Sequence, residues 1–152
     1  MGGVGVGRAG GTPIFVLSIG DAFIVVSVRA FVESTFLSVF FFVGVLLSLG
    51  GLGIHVVHAR AVAPTGPVLP LVLTHGWPDS FWRYTKVIDL LTDPAAHGAD
   101  PADAFDVVVP DVPGFGYSDR PGTPLDSIAV AGLWARLMDA LGYPRFGAAG
   151  GG

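Results

Sequence analysis

Two short apolar runs, each ending at a turn that contains glycine and proline, constrain the fold most strongly. The first covers residues 68–74 and stops at the sequence His-Gly-Trp-Pro, residues 75–78. The second covers residues 105–110 and leads into Asp-Val-Pro-Gly-Phe-Gly-Tyr-Ser, residues 111–118. Apolar runs of this length between such turns are typical of strands buried on both faces. Because ligands of open α/β sheets bind beyond the carboxyl ends of the strands, we expect any chemistry at these two turns.

A helical pattern follows each turn. After the first, Asp79 and Ser80 offer an N-cap, and apolar residues at 81, 84, 87, 88 and 91 repeat with the period of a helix packed on a sheet. The cap explains Asp79 better than a role as catalytic acid. After the second, an apolar stripe over residues 128–141 predicts a helix that starts near Asp126 and stops at Gly142. The alternation of strands and helices predicts an α/β fold.

Residues 53–60 predict a further strand, part of an opening hairpin. Ile54 and His58 fall on one face of it, and His55 falls on the other. The two histidines have two interpretations, a metal ligand or general base on one side and an ordinary strand side chain on the other, and the second is favoured. Neither these histidines nor His75 and His97 have ligand spacing with carboxylates, so no metal site is expected.

The first third of the chain differs chemically from the rest, which predicts a hydrophobic segment over residues 1–50 and a folded domain over residues 51–152. Residues 14–54 are strongly apolar, and residues 34–54 lack charge over a length that suits a membrane-spanning helix. We expect a helix over Ser34–Leu49 if this segment enters a membrane. A cleaved signal peptide fits less well, because no Lys/Arg-rich start precedes the run. A start that is not native coding sequence fits as well as the anchor, and both hypotheses stay open.

Composition excludes several classes of function. The net charge is −4 and basic residues do not cluster, which argues against nucleic acid as a partner. The chain contains no cysteine, which removes disulfides, thiolate catalysis and cysteine-based zinc sites. Its 152 residues allow one domain.

The two turns together resemble those of the α/β-hydrolase family, and more narrowly its epoxide hydrolase branch with the microsomal-type and bacterial members. The similarity runs from about Gly51 to Gly151. It implies an incomplete α/β-hydrolase fold, the first strands and helices of the sheet, preceded by the hydrophobic N-terminal segment. It further implies a small-molecule epoxide as substrate, no cofactor, and a cytoplasmic location, with membrane association through residues 14–54 if that segment inserts.

The resemblance also assigns roles to residues of the two turns. In the family, an Asp attacks the epoxide to form an ester, and backbone N–H groups then hold the oxyanion when water cleaves that ester. One donor carries over to the backbone of Trp77, with Gly76 and Pro78 shaping its direction. His75 supports this turn rather than taking part in proton transfer. Phe115 and Tyr117 would line the mouth of the substrate pocket.

The nucleophile itself is missing. Residues 147–151, Gly-Ala-Ala-Gly-Gly, match the approach to the family's nucleophile elbow, where small residues are needed at a sharp turn. The Asp would fall at position 152, which is Gly152, and the catalytic His and acid have no counterparts in this sequence. The chain as given is therefore expected to be inactive. Two alternatives remain: another α/β hydrolase, of the haloalkane dehalogenase or esterase type, or a small membrane-anchored protein without catalysis.

Overall fold

The computed structural model describes residues 4–9, 12–19, 22–27 and 44–151, with side chains from residue 46 onward. Over these ranges the strands form one sheet in the order β1-β2-β3-β4-β5-β7-β6-β8. The strands are β1 Val4–Ala9, β2 Thr12–Ile19, β3 Ala22–Ser27, β4 Gly44–Leu49, β5 Leu52–Ala59, β6 Leu69–His75, β7 Phe105–Pro110 and β8 Gly147–Gly151. The helices are α1 Thr85–Thr92 and α2 Ser127–Ala140, with short 3₁₀ helices at Phe81–Tyr84, Pro94–His97 and Pro101–Asp103.

The sheet has an antiparallel part and a parallel part. Strands β1 to β5 follow one another as antiparallel neighbours, and β5 also pairs antiparallel with β7. Strand β6 lies parallel to both β7 and β8. The strands predicted over residues 68–74 and 105–110 are confirmed as β6 and β7, so the turns that follow them lie at the same edge of the sheet.

The apolar run before residue 54 forms a hairpin in the part that the structure describes. Gly50 and Gly51 adopt positive φ angles of 61° and 84°, which glycine reaches at little steric cost, and they reverse the chain between β4 and β5. Leu47 and Leu49 face the core at 1% and 7% exposure, the two-residue period of a strand. The helix expected over Ser34–Leu49 is therefore wrong for its last six residues, which form β4. Membrane association through residues 14–54 stays a prediction.

Residues 34–43 lie outside the described ranges, so that part of the expected helix stays a prediction. Within the ranges that are described, no helix has the length and apolarity needed to cross a membrane. The physical reason for the error is that a continuous apolar run does not by itself distinguish a buried strand from a helix. The boundary proposed at residue 50 also remains a prediction.

The core has one layer on each face of the sheet. On one face α1 packs through Ile88 against Val57, Leu73 and alternate residues of β7. On the other face the buried residues of α2 pack against β4, β5, β6 and β7; they are Leu133, Trp134, Leu137 and Met138. The predicted α/β architecture is thus confirmed, as is the alternation that sends Ile54 and Val57 to opposite layers.

The polar residues that the sequence indicated cap α2 and the 3₁₀ helix before α1, whereas α1 itself begins at Thr85 without a side-chain cap. The Ser80 Oγ accepts a hydrogen bond from the Trp82 N–H at 3.3 Å, and a 3₁₀ turn then leads into α1. The Asp126 carboxylate accepts from the Ala129 N–H at 2.7 Å and caps α2. After α2, Gly142 has a φ of 84° and ends the helix. These caps fix where each helix leaves the turn that precedes it.

Candidate active site

The two turns and the end of β8 meet at the carboxyl edge of the parallel strands. His75 ends β6 and pairs in register with Gly151, the last residue of β8. Asp111 follows β7 directly, and its N–H donates to the His55 carbonyl at 2.9 Å. The sheet thus brings together segments more than 50 residues apart in sequence. Gly152, the position expected for the nucleophile, lies outside the described residues.

His75 holds the first turn in place with both of its ring nitrogens. The side chain is fully buried. Its Nε2 accepts a hydrogen bond from the Val112 N–H at 3.0 Å, and its Nδ1 lies 2.9 Å from the Gly76 carbonyl. Because Nε2 acts as an acceptor, the proton must sit on Nδ1 and the ring is neutral. With both nitrogens engaged, His75 links the two turns and has no free nitrogen for proton transfer.

The first turn leaves the backbone N–H of Trp77 without an acceptor among the described residues. The Asp79 N–H closes the turn by donating to the Gly76 carbonyl at 3.1 Å, and the Trp77–Pro78 peptide bond is cis. The Trp77 N–H finds no hydrogen-bond acceptor among the residues that the structure describes. The Trp77 side chain is 78% exposed, so it does not anchor the turn by burial. The turn is therefore held by its neighbours and keeps the Trp77 N–H available.

Asp111 is the most enclosed polar group of the site. Its carboxylate is fully buried and accepts three hydrogen bonds, from the Phe81 N–H at 2.7 Å, the His55 Nδ1–H at 2.8 Å and the Tyr117 N–H at 3.0 Å. Burial alone would raise the pKa of this carboxyl, but the hydrogen bonds from His55, Phe81 and Tyr117 outweigh burial and lower it. Asp111 is thus a carboxylate at neutral pH, and its partners come from three different segments.

The second turn is built tightly around this carboxylate. Gly116 has a φ of 52°, and a Cβ added there would overlap the Asp111 carboxylate. The Ser118 Oγ donates to the Asp111 carbonyl at 2.7 Å and accepts from the His55 N–H at 3.0 Å. Sequence reasoning did not single out Asp111. The available signal was an acidic residue placed directly after a fully apolar strand and before a glycine-rich turn.

Aromatic side chains surround the entrance to the site. The predicted pocket residue Tyr117 is 72% exposed, and its ring contacts His55 edge-on, with centroids 5.2 Å apart. Phe81 contacts the same imidazole at 5.0 Å. The other predicted pocket residue, Phe115, is half-buried and packs 6.0 Å from the His75 ring. Tyr117 therefore lies at the surface of the site, and Phe115 lies behind the first turn.

The favoured interpretation of His55 and His58 as ordinary strand side chains agrees with their contacts. Each of them is also linked to a carboxylate by hydrogen bonds. His55 donates to Asp111 at the carboxyl edge. His58 lies at the opposite edge, 2.9 Å from the Tyr143 hydroxyl, which in turn donates to Asp106 at 2.6 Å. Across the described part of the chain, no three acidic, histidine or cysteine side chains group as metal ligands would.

The residues after the first turn connect it to β8. Arg83 donates to the Gly151 carbonyl and forms an ion pair with Asp79 at 3.1 Å. The Asp79 carboxylate also accepts from the Ser80 N–H at 2.8 Å, so it stabilises the turn before the 3₁₀ helix, and Ser80 is the cap. At Gly150 a Cβ would lie 2.6 Å from the Thr74 carbonyl oxygen, which accounts for a small residue there.

Two known protein families match the residues that form this site. The family described as alpha/beta hydrolase fold matches residues 70–151, and the family described as epoxide hydrolase N terminus matches residues 37–84. The chain therefore belongs to the α/β-hydrolase family. Within that family, its similarity is to the N-terminal portion of epoxide hydrolases, because the second match includes β4, β5, β6 and the first turn.

Individual relatives agree with this assignment. A protein of Stigmatella aurantiaca named as a candidate epoxide hydrolase is 50% identical over 104 residues, which is 68% of this chain and 23% of that protein. Epoxide hydrolase 1 of Oryctolagus cuniculus is 38% identical over 66% of this chain and 23% of its own length. The crystal structure of juvenile hormone epoxide hydrolase from Bombyx mori superposes with a TM-score of 0.59 at 29% identity, over 70% of this chain and 25% of that one. The chain thus spans about a quarter of the length of these relatives.

Proposed function

We propose that this chain forms the oxyanion side of an epoxide hydrolase active site, in which the Trp77 N–H is one of the donors. The observation that carries the proposal is this unsatisfied N–H, held by a buried histidine beside the end of β8. A donor that is fixed before the reaction stabilises developing negative charge without reorganisation. Gly76 and Pro78 set the direction of the donor, and His75 locks the turn that carries them.

The proposed reaction converts a small epoxide into a vicinal diol. An aspartate at the position after β8 would attack an epoxide carbon, and the C–O bond of the ring would break as the ester forms. Water would then cleave the ester, with the oxyanion held by the Trp77 N–H. Phe115 and Tyr117 are proposed to border the substrate. Because Gly152 occupies the nucleophile position, we expect the chain by itself to form no diol from styrene oxide.

A chimera tests the proposal. Residues 44–151 would replace the matched segment of the Stigmatella aurantiaca relative, whose own residues would follow. We expect diol formation from styrene oxide, measured by chromatography. Release of halide from a haloalkane, or hydrolysis of 4-nitrophenyl acetate without diol formation, would instead support the other α/β-hydrolase classes.

Two substitutions in the chimera separate the donor from the side chain. Trp77→Pro removes the N–H, which donates to no acceptor among the described residues, and should lower kcat by about 10²–10³ as for loss of one oxyanion donor. Trp77→Ala keeps the N–H and removes only an exposed ring, so its kcat should stay close to that of the parent chimera. Equal loss in both variants would refute the backbone role.

The relatives also bear on location and partners. One relative, from Corynebacterium sp. strain C12, carries the name soluble epoxide hydrolase and is 36% identical over 85 residues. We propose a cytoplasmic location by this similarity, and a small-molecule epoxide as the ligand. Fractionation of cells that express the chain tests the location, since recovery with the membranes would support the membrane-anchored alternative.

A further inference from the structure

We propose that the His55–Asp111 pair is a positioning device that holds the oxyanion turn (residues 75–78) and the pocket turn (residues 111–118) in a fixed relation to each other. The inference rests on the proposed function for the meaning of the two turns. Its structural basis is independent of that function, because Asp111 accepts from a backbone N–H just after the first of these turns and from another within the second.

The two oxygens of the Asp111 carboxylate accept hydrogen bonds from two different segments, one just after the oxyanion turn and the other within the pocket turn. Its Oδ1 accepts from the Phe81 N–H at 2.7 Å, three residues after Pro78. Its Oδ2 accepts from the Tyr117 N–H at 3.0 Å, inside the pocket turn. One buried group therefore links the main chain just after the oxyanion turn to the main chain of the pocket turn.

His55 completes the arrangement from β5. Its Nδ1–H donates to the same Oδ2 at 2.8 Å, and its ring contacts the rings of Phe81 and Tyr117, with centroids 5.0 and 5.2 Å away. A buried carboxylate is costly unless its oxygens are hydrogen-bonded, so the imidazole makes it possible to place a charge between the turns. The other titratable side chain facing the carboxylate is His75, with Nε2 3.5 Å from Oδ1, and it already accepts from Val112.

The chain contains a matched control for a buried carboxylate. Asp106 lies at the other end of β7, is 7% exposed, and accepts from the Tyr143 hydroxyl at 2.6 Å and the Ala61 N–H at 2.8 Å. Asp106→Asn should destabilise the fold without altering either turn. Asp111→Asn offers only one acceptor oxygen, so either the Phe81 N–H or the Tyr117 N–H must face an amide NH₂.

The experiment uses the full chain and follows backbone amides by NMR with hydrogen exchange. In Asp111→Asn, we expect exchange at Phe81 or Tyr117 to accelerate by about 10- to 100-fold, as for loss of a hydrogen bond to a charged group, and the Trp77 amide signal to shift. In Asp106→Asn the same signals should stay in place. Unchanged signals in Asp111→Asn, or equal changes in both variants, would overturn the proposal.

A conservative pair at position 55 tests the role of the imidazole. His55→Asn keeps an N–H at about the place of Nδ1, whereas His55→Leu removes the donor at similar volume. We expect the Trp77, Phe81 and Tyr117 amide signals to be retained in His55→Asn and displaced in His55→Leu. Retention in both variants would show that the donor is dispensable and would refute the role of the pair.

A pH titration of the same amide signals adds a readout that general loss of stability would not move. Asp111 has a lowered pKa, so its contacts should persist as pH falls through 3.8 and be lost only below that value. In His55→Leu the midpoint should rise by about one pH unit or more, because one charge-assisted hydrogen bond is gone. In Asp106→Asn it should not move. These amide measurements need no catalysis, so they can fail while the chimera forms diol, or succeed while it does not.

Discussion

Gly116 offers the sharpest test of how tightly the second turn encloses Asp111. Its φ of 52° lies in the left-handed region, and a Cβ there would overlap the Asp111 carboxylate. Two costs therefore add when Gly116 becomes Ala. The left-handed backbone costs about 1–2 kcal/mol for a residue with a Cβ. The displaced carboxylate also weakens its hydrogen bonds from His55 and Tyr117, at about 1.5–3 kcal/mol for each one lost.

If one of those hydrogen bonds is lost, the expected destabilisation is about 2.5–5 kcal/mol, the sum of the two costs. This is a large share of the total for a typical domain, about 5–15 kcal/mol. Urea unfolding followed by circular dichroism measures it. The control is Gly122→Ala, because Gly122 has no atom within 4 Å of a built Cβ and no positive φ. If the free energies of unfolding of Gly116→Ala and Gly122→Ala differ by less than about 1 kcal/mol, the second turn does not enclose Asp111 as tightly as we infer from the backbone and hydrogen-bond costs.

Two further predictions concern the core and the opposite edge of the sheet. Met138 is fully buried in α2, so Met138→Ala should cost about 2–5 kcal/mol in urea unfolding. Ile128→Ala, at an 82% exposed position of the same helix, should change stability by less than about 0.5 kcal/mol, and a larger loss there would contradict the packing described. Burial is the largest cause that lowers the pKa of His58, so the unfolded chain binds the proton more readily and stability should fall as pH drops through 6.5. His58→Gln, which keeps a donor for Tyr143, should flatten that dependence in urea melts at pH 5 to 8, and an unchanged slope would contradict it.

Local patterns were sufficient to predict the strands and helices of the second half of the chain. Burial can be predicted from the apolar runs of β6 and β7 and from the apolar stripes of both helices. This is possible because side chains repeat with a fixed period along a strand and along a helix. The caps at Ser80 and Asp126 follow from local hydrogen bonding. These features depend on neighbours within a few residues, which a single sequence displays.

The strand over residues 53–60 and its place in a hairpin were predicted, but its partner β4 was not, because the apolar residues of β4 continue the run before them. Val45 to Leu47 and Leu49 suit a membrane helix and a buried strand equally well in composition. The pair Gly50-Gly51 was the discriminating signal, since a left-handed reversal fits a hairpin and interrupts a helix. Strand pairing in the sheet then decides the outcome, and pairing is not visible in a local window.

The contacts of Asp111 could not be predicted from the sequence, for a related reason. Its partner His55 is 56 residues away, and nothing in the spacing indicates that β5 lies beside β7 rather than β6. The order of strands in the sheet had to be known first. The resemblance to epoxide hydrolases supplied the roles proposed for Trp77 and Tyr117, but those roles concern the turns and not the group that joins them.

The two ends of β7 show why a carboxylate is used differently at each edge of the sheet. At the amino end, Asp106 binds the Tyr143 hydroxyl just after α2, and burial together with that hydrogen bond raises the pKa of Tyr143, so the phenol stays a donor. That contact fixes the end of a helix. At the carboxyl end, Asp111 binds the N–H of Phe81, at the start of the 3₁₀ helix that follows the first turn, and the N–H of Tyr117 within the second turn. Asp106 also accepts from a main-chain N–H, that of Ala61, but this residue lies outside both turns. A substitution at the carboxyl edge is therefore the one that changes the geometry of the site.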